Sequence, residues 1–443
     1  MSAVQGLVRI EGAPRDYAWG SATRIPELLG VEPAGGPVAE LWFGAHPEAQ
    51  ARTRPCRPAG STPVTTPDGE PPLTAGGPGA TTDPPDGERR TTGGEPRSLG
   101  DHIAADPSRT LGADVVTRYG EHLPYLLKLI APDRALSLQV HPDLERARRR
   151  FDEEEAAGIP RGDFARSYRD PNHKPEMVYA LTRFEAVCGF RAPRRAIEVL
   201  AGLGTPLTAE LEEALRAAPS ADGVRSVVER LLREETRPSA DEVAAVAAAC
   251  ARRLADGSSP SPRMDRIVGQ LAGEHPGDPG VVVALLLNPV TLHPGEAMFV
   301  PAGAVHAYLS GFAVEIMASS DNVLRAGLTS KHVAVGEVLE ALEYVAAPPV
   351  RIAPETVSES VGVYYAPVDD FELAVVTLEA EGEAESLVPG RGPRILLALD
   401  GEVTVTVDGL AATLHRGQAV FVAGDLGPVT VTGRGRLVQA DVP

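Results

Sequence analysis

The eight residues LSLQVHPD, Leu136–Asp143, constrain this chain more than any other stretch. Apolar Leu136, Leu138 and Val140 alternate with polar Ser137, Gln139 and His141, and a two-residue period sends the two sets to opposite faces of a β-strand. A serine, a glutamine and a histidine on one face can coordinate something there. An ordinary strand would simply leave that face in water, but three later stretches argue otherwise: NHKPE at 172–176, GEAMFVPAGAVHAYLSG at 295–311 and SSDNVLRAGLTSKH at 319–332. In the second of these, Gly295 turns the chain into a strand, Pro301 and Gly303 set a tight corner, and His306 projects from the next strand.

Around these stretches the pattern changes several times. DYAWG (16–20) and AELWFGAHP (39–47) hold both tryptophans and predict strands, or a strand and turn, beside the sheet. Residues 52–97 are mostly Pro, Gly, Thr and Asp, too poor in large apolar side chains to offset the entropy of ordering, and predict a low-complexity surface insertion. YLLKLIA (125–131) and Met177–Leu181 predict strands, and Glu145–Glu155 a solvated helix. From Pro193 to about Gly273 the period is helical. Val224, Val227, Val228, Leu231 and Leu232 form one stripe, Ser239 and Glu242 make a capping box, and Gly257 ends that helix. Three or four helices are expected. After Gly280 the chain returns to strands, beginning with VVVALLL (281–287). Val335–Ala347 predicts helix and linker, and Arg351–Pro443 strands with glycine turns.

Composition narrows the chemistry. The formal charge of −19 argues against nucleic acid and acidic membranes as partners. The longest apolar run, Val281–Leu287, is far too short to span a bilayer, and no signal-length run stands at the amino terminus, so the cytoplasm is expected. Cys56, Cys188 and Cys250 have no CxxC spacing, which leaves His, carboxylate or amide oxygen to hold any metal. Of 42 basic residues only Lys128, Lys174 and Lys331 are lysine. Where arginine supplies nearly all positive charge, a lysine marks a place for a compact ammonium of adjustable pKa.

Gly295, Pro301, Gly303 and His306 fit G-x5-P-x-G-x2-H, which resembles the second motif of the cupin superfamily of small β-barrels. Gln139 and His141 stand where the first cupin motif has its HxH pair, and Glu176 would complete a metal site. With NHKPE and SDNVLRAGLTSK, these residues resemble the type I phosphomannose isomerases, zinc enzymes that interconvert mannose 6-phosphate and fructose 6-phosphate. The resemblance implies one Zn2+ held by Gln139, His141, Glu176 and His306, with Arg325 as an active-site residue. It also implies that Lys174, Lys331, Ser137 and Trp19 lie in or near the pocket of a sugar phosphate. The expected fold is mainly β with a helical insertion. A cupin-type jelly roll would be built from 1–191 and 274–349, the helical insertion would occupy 192–273, and 350–443 would form a second, degenerate cupin-like domain. In that last region GQAVFVAGDLG (417–427) echoes the spacing of GEAMFVPAGAVH (295–306), with Ala423 where Pro301 stands and no histidine near Gly427, so no second metal is expected. The chain is expected to act as a monomer.

The residue types suit such chemistry. Two imidazoles, a carboxylate and an amide oxygen form a mixed set that zinc accepts, with positions left for substrate. Moving a proton between adjacent sugar carbons builds charge on oxygen, which a Lewis acid stabilises by several kcal/mol. Lys174, His173, Glu315 and Asp321 are candidates for the base, Lys174 being favoured because a nearby cation should depress its pKa. Arg325 by itself would read as a surface arginine paired with Asp321; within its motif it predicts a clamp for phosphate or enediolate oxygens. Two other readings keep the barrel: an iron-dependent cupin dioxygenase, which has no need of the Arg and Lys cluster, and a non-catalytic sugar-phosphate sensor.

Overall fold

The computed structural model describes residues 6–55, 97–379 and 385–443. The period-two stretches of its first part build two facing antiparallel sheets. One has seven strands in the order Val350–Ile352, Ala297–Val300, Glu176–Ala180, Ala313–Ala318, Tyr125–Ile130, Glu40–Phe43, Ala13–Arg15. The other has five: Leu287–Leu292, Phe184–Phe190, His306–Ser310, Leu138–Val140, Leu324–Gly327. Ile130, Val178, Met298 and Val300 of the larger sheet share one core with Phe184, Ala186 and Tyr308 of the smaller. Residues of the opposite parity point outward and are covered as well. Leu127, Met177 and Ile316 pack toward the C-terminal sheet, while Leu138, Val187 and Leu309 pack against the helices. Covered on both faces, a strand such as YLLKLI is buried at every position.

Leu136 departs from the predicted alternation. The strand begins only at Leu138, because Ala135 N donates to Glu274 (2.8 Å) and Leu136 N to the Tyr308 carbonyl (2.9 Å), which hold the chain out of register. Leu136 therefore joins the core between the sheets. The segment VVVALLL is also not a strand. Gly280–Val283 is a helical turn, Ala284–Leu286 a 3-10 turn, and a strand starts at Leu287. An apolar run buried on all sides carries no period by which helix and strand can be told apart.

The insertion holds five helices: Pro193–Leu200, Pro206–Ala217, Ala221–Leu232, Ala240–Ala255 and Pro262–Glu274. This is more than the expected three or four. The first, only eight residues long and entered through a proline, is too short to show a repeat. The capping box is present, Glu242 N donating to Ser239 Oγ (3.3 Å) and Ser239 N to Glu242 Oε2 (2.8 Å).

The third sheet, of eleven strands, carries most of the C-terminal region, but not that region alone. Leu7–Glu11 is inserted in it, pairing with Ala419–Val422 on one side and Arg52–Pro55 on the other. In return Val350–Ile352 pairs with Ala297–Val300 in the seven-stranded sheet. Most of the low-complexity stretch 52–97 lies outside the described residues; its two ends, Arg52–Pro55 and Arg97–Ser98, are strands paired with each other. Inside the C-terminal unit the buried Arg394 guanidinium donates to the carbonyls of Leu426 (2.9 Å) and Gly427 (2.8 Å), at the end of the segment that echoes the histidine motif. His415 is exposed on the outside, 3.4 Å from Glu402. His415→Gln should therefore leave turnover and metal content unchanged; loss of metal in that variant, measured by elemental analysis, would reveal a second site.

Candidate metal centre and active site

Cys188, His306, Gln139 and Arg325 are register partners across four neighbouring strands of the five-stranded sheet. Directly opposed residues share a face, so the glutamine, the histidine and the arginine form one row. His141 follows two residues after Gln139, and Glu176 comes from the facing sheet. The His141 Nε2 lies 3.2 Å from Glu176 Oε1, and the His306 Nε2 lies 3.3 Å from Glu176 Oε2. All three residues are buried, and their donor atoms fall within 4.8 Å of one another.

The protons on these rings can be placed. His141 Nδ1 is 2.7 Å from the Asn322 carbonyl and His306 Nδ1 is 2.9 Å from the Ala304 carbonyl. A carbonyl only accepts, so each Nδ1 carries a hydrogen, and in the neutral ring that leaves Nε2 as the lone-pair atom. Burial, against the pull of Glu176, pushes His141 down to about 4, so its ring is neutral. For Glu176, burial is outweighed by its neighbours, Lys174 among them, and its carboxyl sits well below the usual carboxylate range. Both Nε2 atoms face carboxylate oxygens, the His141 one as a lone pair, and neither has a hydrogen bond among the described residues. A lone pair aimed at a carboxylate in a buried site calls for a cation between them, and two imidazoles with one carboxylate suit zinc.

Polar side chains surround this set. Lys174 Nζ is 3.3 Å from Glu176 Oε1, and the Tyr308 hydroxyl donates to Glu176 Oε2 (3.2 Å). On the inner face of the larger sheet, buried Lys128 pairs with Glu315 (3.2 Å) and lies over the Trp42 ring, whose indole N–H donates to Glu40 (2.6 Å). Burial raises the Glu315 carboxyl despite Lys128. Asp321 is likewise raised by burial, against Lys174, and lies 3.4 Å from His46 Nε2. The His173 Nε2 lies 3.0 Å from Asp370 of the C-terminal unit.

Arg325 is half-buried and, among the described residues, makes no hydrogen bond or ion pair; the pairing with Asp321 is absent, that carboxylate facing His46 instead. Burial first, then Arg169, lowers its pKa, and burial, Arg325 and Arg169 lower that of Lys331. Arg169 has its own partner in Glu48 (2.9 Å), but Arg325 and Lys331 repel each other without one among the described residues, an arrangement that invites an anion. Trp19 stacks on Tyr17 (5.6 Å between ring centroids), and its carbonyl holds the turn at Asp133 and Arg134. Ser137 is half-buried just before the strand that carries Gln139. The structure thus brings His141, Glu176, His306 and Lys174 together, sets Gln139 and Arg325 in the row with His306, and leaves Lys331 exposed.

Sequence reasoning does not find His46, Glu40 or Tyr308. A faint signal for two of them exists, since Glu40, Trp42 and His46 share parity in AELWFGAHP. Tyr308 follows His306 by two in the same way.

Facing sheets that gather two imidazoles and a carboxylate within reach of one ion define the class: a cupin with the donor set of a metal centre. Residues 85–193 match the family model for the phosphomannose isomerase type I catalytic domain, and 361–442 that for the mannose-6-phosphate isomerase cupin domain. A mannose-6-phosphate isomerase of Escherichia coli (strain K12) is 33% identical over 439 residues, covering 98% of this chain and 99% of its own. That of Mus musculus is 29% identical, covering 93% and 92%. The crystal structure of mannose 6-phosphate isomerase from Salmonella typhimurium, bound to its substrate fructose 6-phosphate and to zinc, is similar with a TM-score of 0.81 at 31% identity, covering 99% of this chain and 100% of its own. The chain belongs to the type I phosphomannose isomerase family.

Proposed function

We propose that this chain is a zinc-dependent aldose-ketose isomerase that interconverts mannose 6-phosphate and fructose 6-phosphate by proton transfer between adjacent carbons. The observation that carries the reading is the pair of buried Nε2 atoms without hydrogen bonds facing Glu176, in a chain whose relative of known structure holds fructose 6-phosphate and zinc. His141, Glu176 and His306 would hold the ion, with Gln139 as a fourth donor from the same row. Bound there, zinc would supply Lewis-acid stabilisation of the oxygen charge that builds in an enediolate, worth several kcal/mol.

The chain's own groups do the rest. Lys174, beside Glu176, is our assignment for the base; it takes the proton from one carbon and returns it to the next. Arg325 meets the oxygens on which charge grows, and Lys331 holds the phosphate at the rim, with Ser137 and Trp19 flanking the sugar. His141, Glu176, His306 and Lys174 are buried, and contacts made there are stronger than in water. Incubating the zinc-loaded protein with fructose 6-phosphate should yield mannose 6-phosphate, read by chromatography or a coupled assay. No product from protein that binds zinc stoichiometrically would refute the activity.

A further inference from the structure

The two metal histidines are oriented by different means. His306 Nδ1 is held by Ala304, two residues back on its own turn, at 2.9 Å. His141 Nδ1 is held by Asn322, 181 residues away in the chain. A local turn fixes its own carbonyl; a distant loop needs something to hold it still.

What holds it is a knot of hydrogen bonds around buried Asn322 and Ser320. Asn322 is fully buried, and its amide spans the opposite loop: Nδ2 donates to the carbonyls of Asp170 (2.7 Å) and Asn172 (2.8 Å), and Oδ1 accepts from Arg169 N (2.8 Å). Asp170 returns the contact. Its Oδ1 accepts from Ser320 Oγ (2.9 Å) and Asn172 N (2.9 Å), and its Oδ2 from Asp321 N (2.7 Å). Ser320 Oγ in turn accepts from Asn322 N (3.2 Å). Every bond crosses between, or lies within, residues 169–172 and 319–322, and the carbonyl left over points at His141.

We infer that Asp170 and Asn322 are positioning residues for the metal centre, clamping two loops together so that the Asn322 carbonyl fixes the His141 ring with its proton on Nδ1. The metal-facing Nε2 is thereby kept free of hydrogen and correctly aimed. Outer contacts of this kind typically change metal affinity by about 10–100-fold when removed. A purely structural knot would instead lower the stability of the whole fold and leave the affinity of the folded protein alone.

The inference rests on the reading of His141 as a ligand, and the test separates the two. Zinc affinity of the full chain is measured by competition with a chromophoric chelator, and the visible spectrum of the cobalt-substituted protein reports the ligand geometry. Asp170→Asn keeps the shape of the side chain but replaces one acceptor oxygen by a donor. Its zinc affinity should fall by about 10-fold or more, with an altered cobalt spectrum and unchanged circular dichroism. Should it fail to fold, Ser320→Ala removes one donor from Asp170 and carries the test with an expected loss of about 3-fold. Parental affinity and spectrum in a folded Asp170→Asn, or in Ser320→Ala if that variant alone folds, overturn the clamp. A parent protein that binds no zinc overturns the reading of His141 itself.

Discussion

His141→Ala, Glu176→Ala and His306→Ala should each yield protein without stoichiometric metal and without isomerase activity. Each removes one of the three buried groups whose donor atoms fall within 4.8 Å of one another. Chelation of the parent should likewise abolish activity and zinc restore it. The variants are expected to differ in stability. Losing an imidazole leaves a cavity, whereas Glu176→Ala also leaves Lys174, buried and 3.3 Å from that carboxylate, without its partner. An uncompensated buried charge costs about 3–5 kcal/mol, so Glu176→Ala should be the least stable of the three. Glu176→Gln keeps the shape and isolates the loss of the only anionic ligand among these three. Gln139→Ala should only weaken binding, since a neutral amide oxygen is the poorest donor of the set. Metal content by elemental analysis and thermal melting check both parts, and full activity in a metal-free preparation would end the reading.

Arg325→Ala should lower kcat by at least about 100-fold with little change in KM, the scale expected for a lost oxyanion donor. The structure supplies the reason. The guanidinium stands in the row with Gln139 and His306, has no carboxylate partner among the described residues, and is held against Arg169 and burial. A cation kept half-buried without a counter-ion is poised for charge that appears only during reaction. Lys331 is placed otherwise: it is exposed and six residues further on, where a phosphate would meet it equally in ground and transition states. Lys331→Ala should therefore raise KM while kcat holds. Near-normal kcat for Arg325→Ala at saturating substrate would overturn the assignment.

Those residues were legible because their spacing is short. Gln139 and His141 sit two apart on one strand, and Gly295 to His306 spells out a turn, a strand, a corner and the next strand; one period suffices to place each. The helical stripe from Val224 to Leu232 is legible for the same reason. What could not be read depends on partners far away in the chain. Lys128 attracts notice as one of three lysines, but nothing near it announces Glu315. Asp170 and Ser320 look like ordinary turn formers until their loops meet. VVVALLL is hidden differently, since complete burial erases the polar half of the pattern. Leu7–Glu11 alternates like any edge strand, and its sequence cannot say which sheet it joins.

That strand sets a schedule for synthesis. Val8 opposes Phe421, more than four hundred residues later, and a ribosome adding about 5–20 residues per second needs roughly 20–80 s to cover that distance. Throughout that interval the apolar side chains of Leu7, Val8 and Ile10, all buried at the end, have no final neighbour on the Ala419–Val422 side. Among the described strands, this one is made first and seated among the last. The nascent chain therefore carries an unpaired β-edge for most of its time on the ribosome, a natural point for a chaperone to hold and for aggregation to begin.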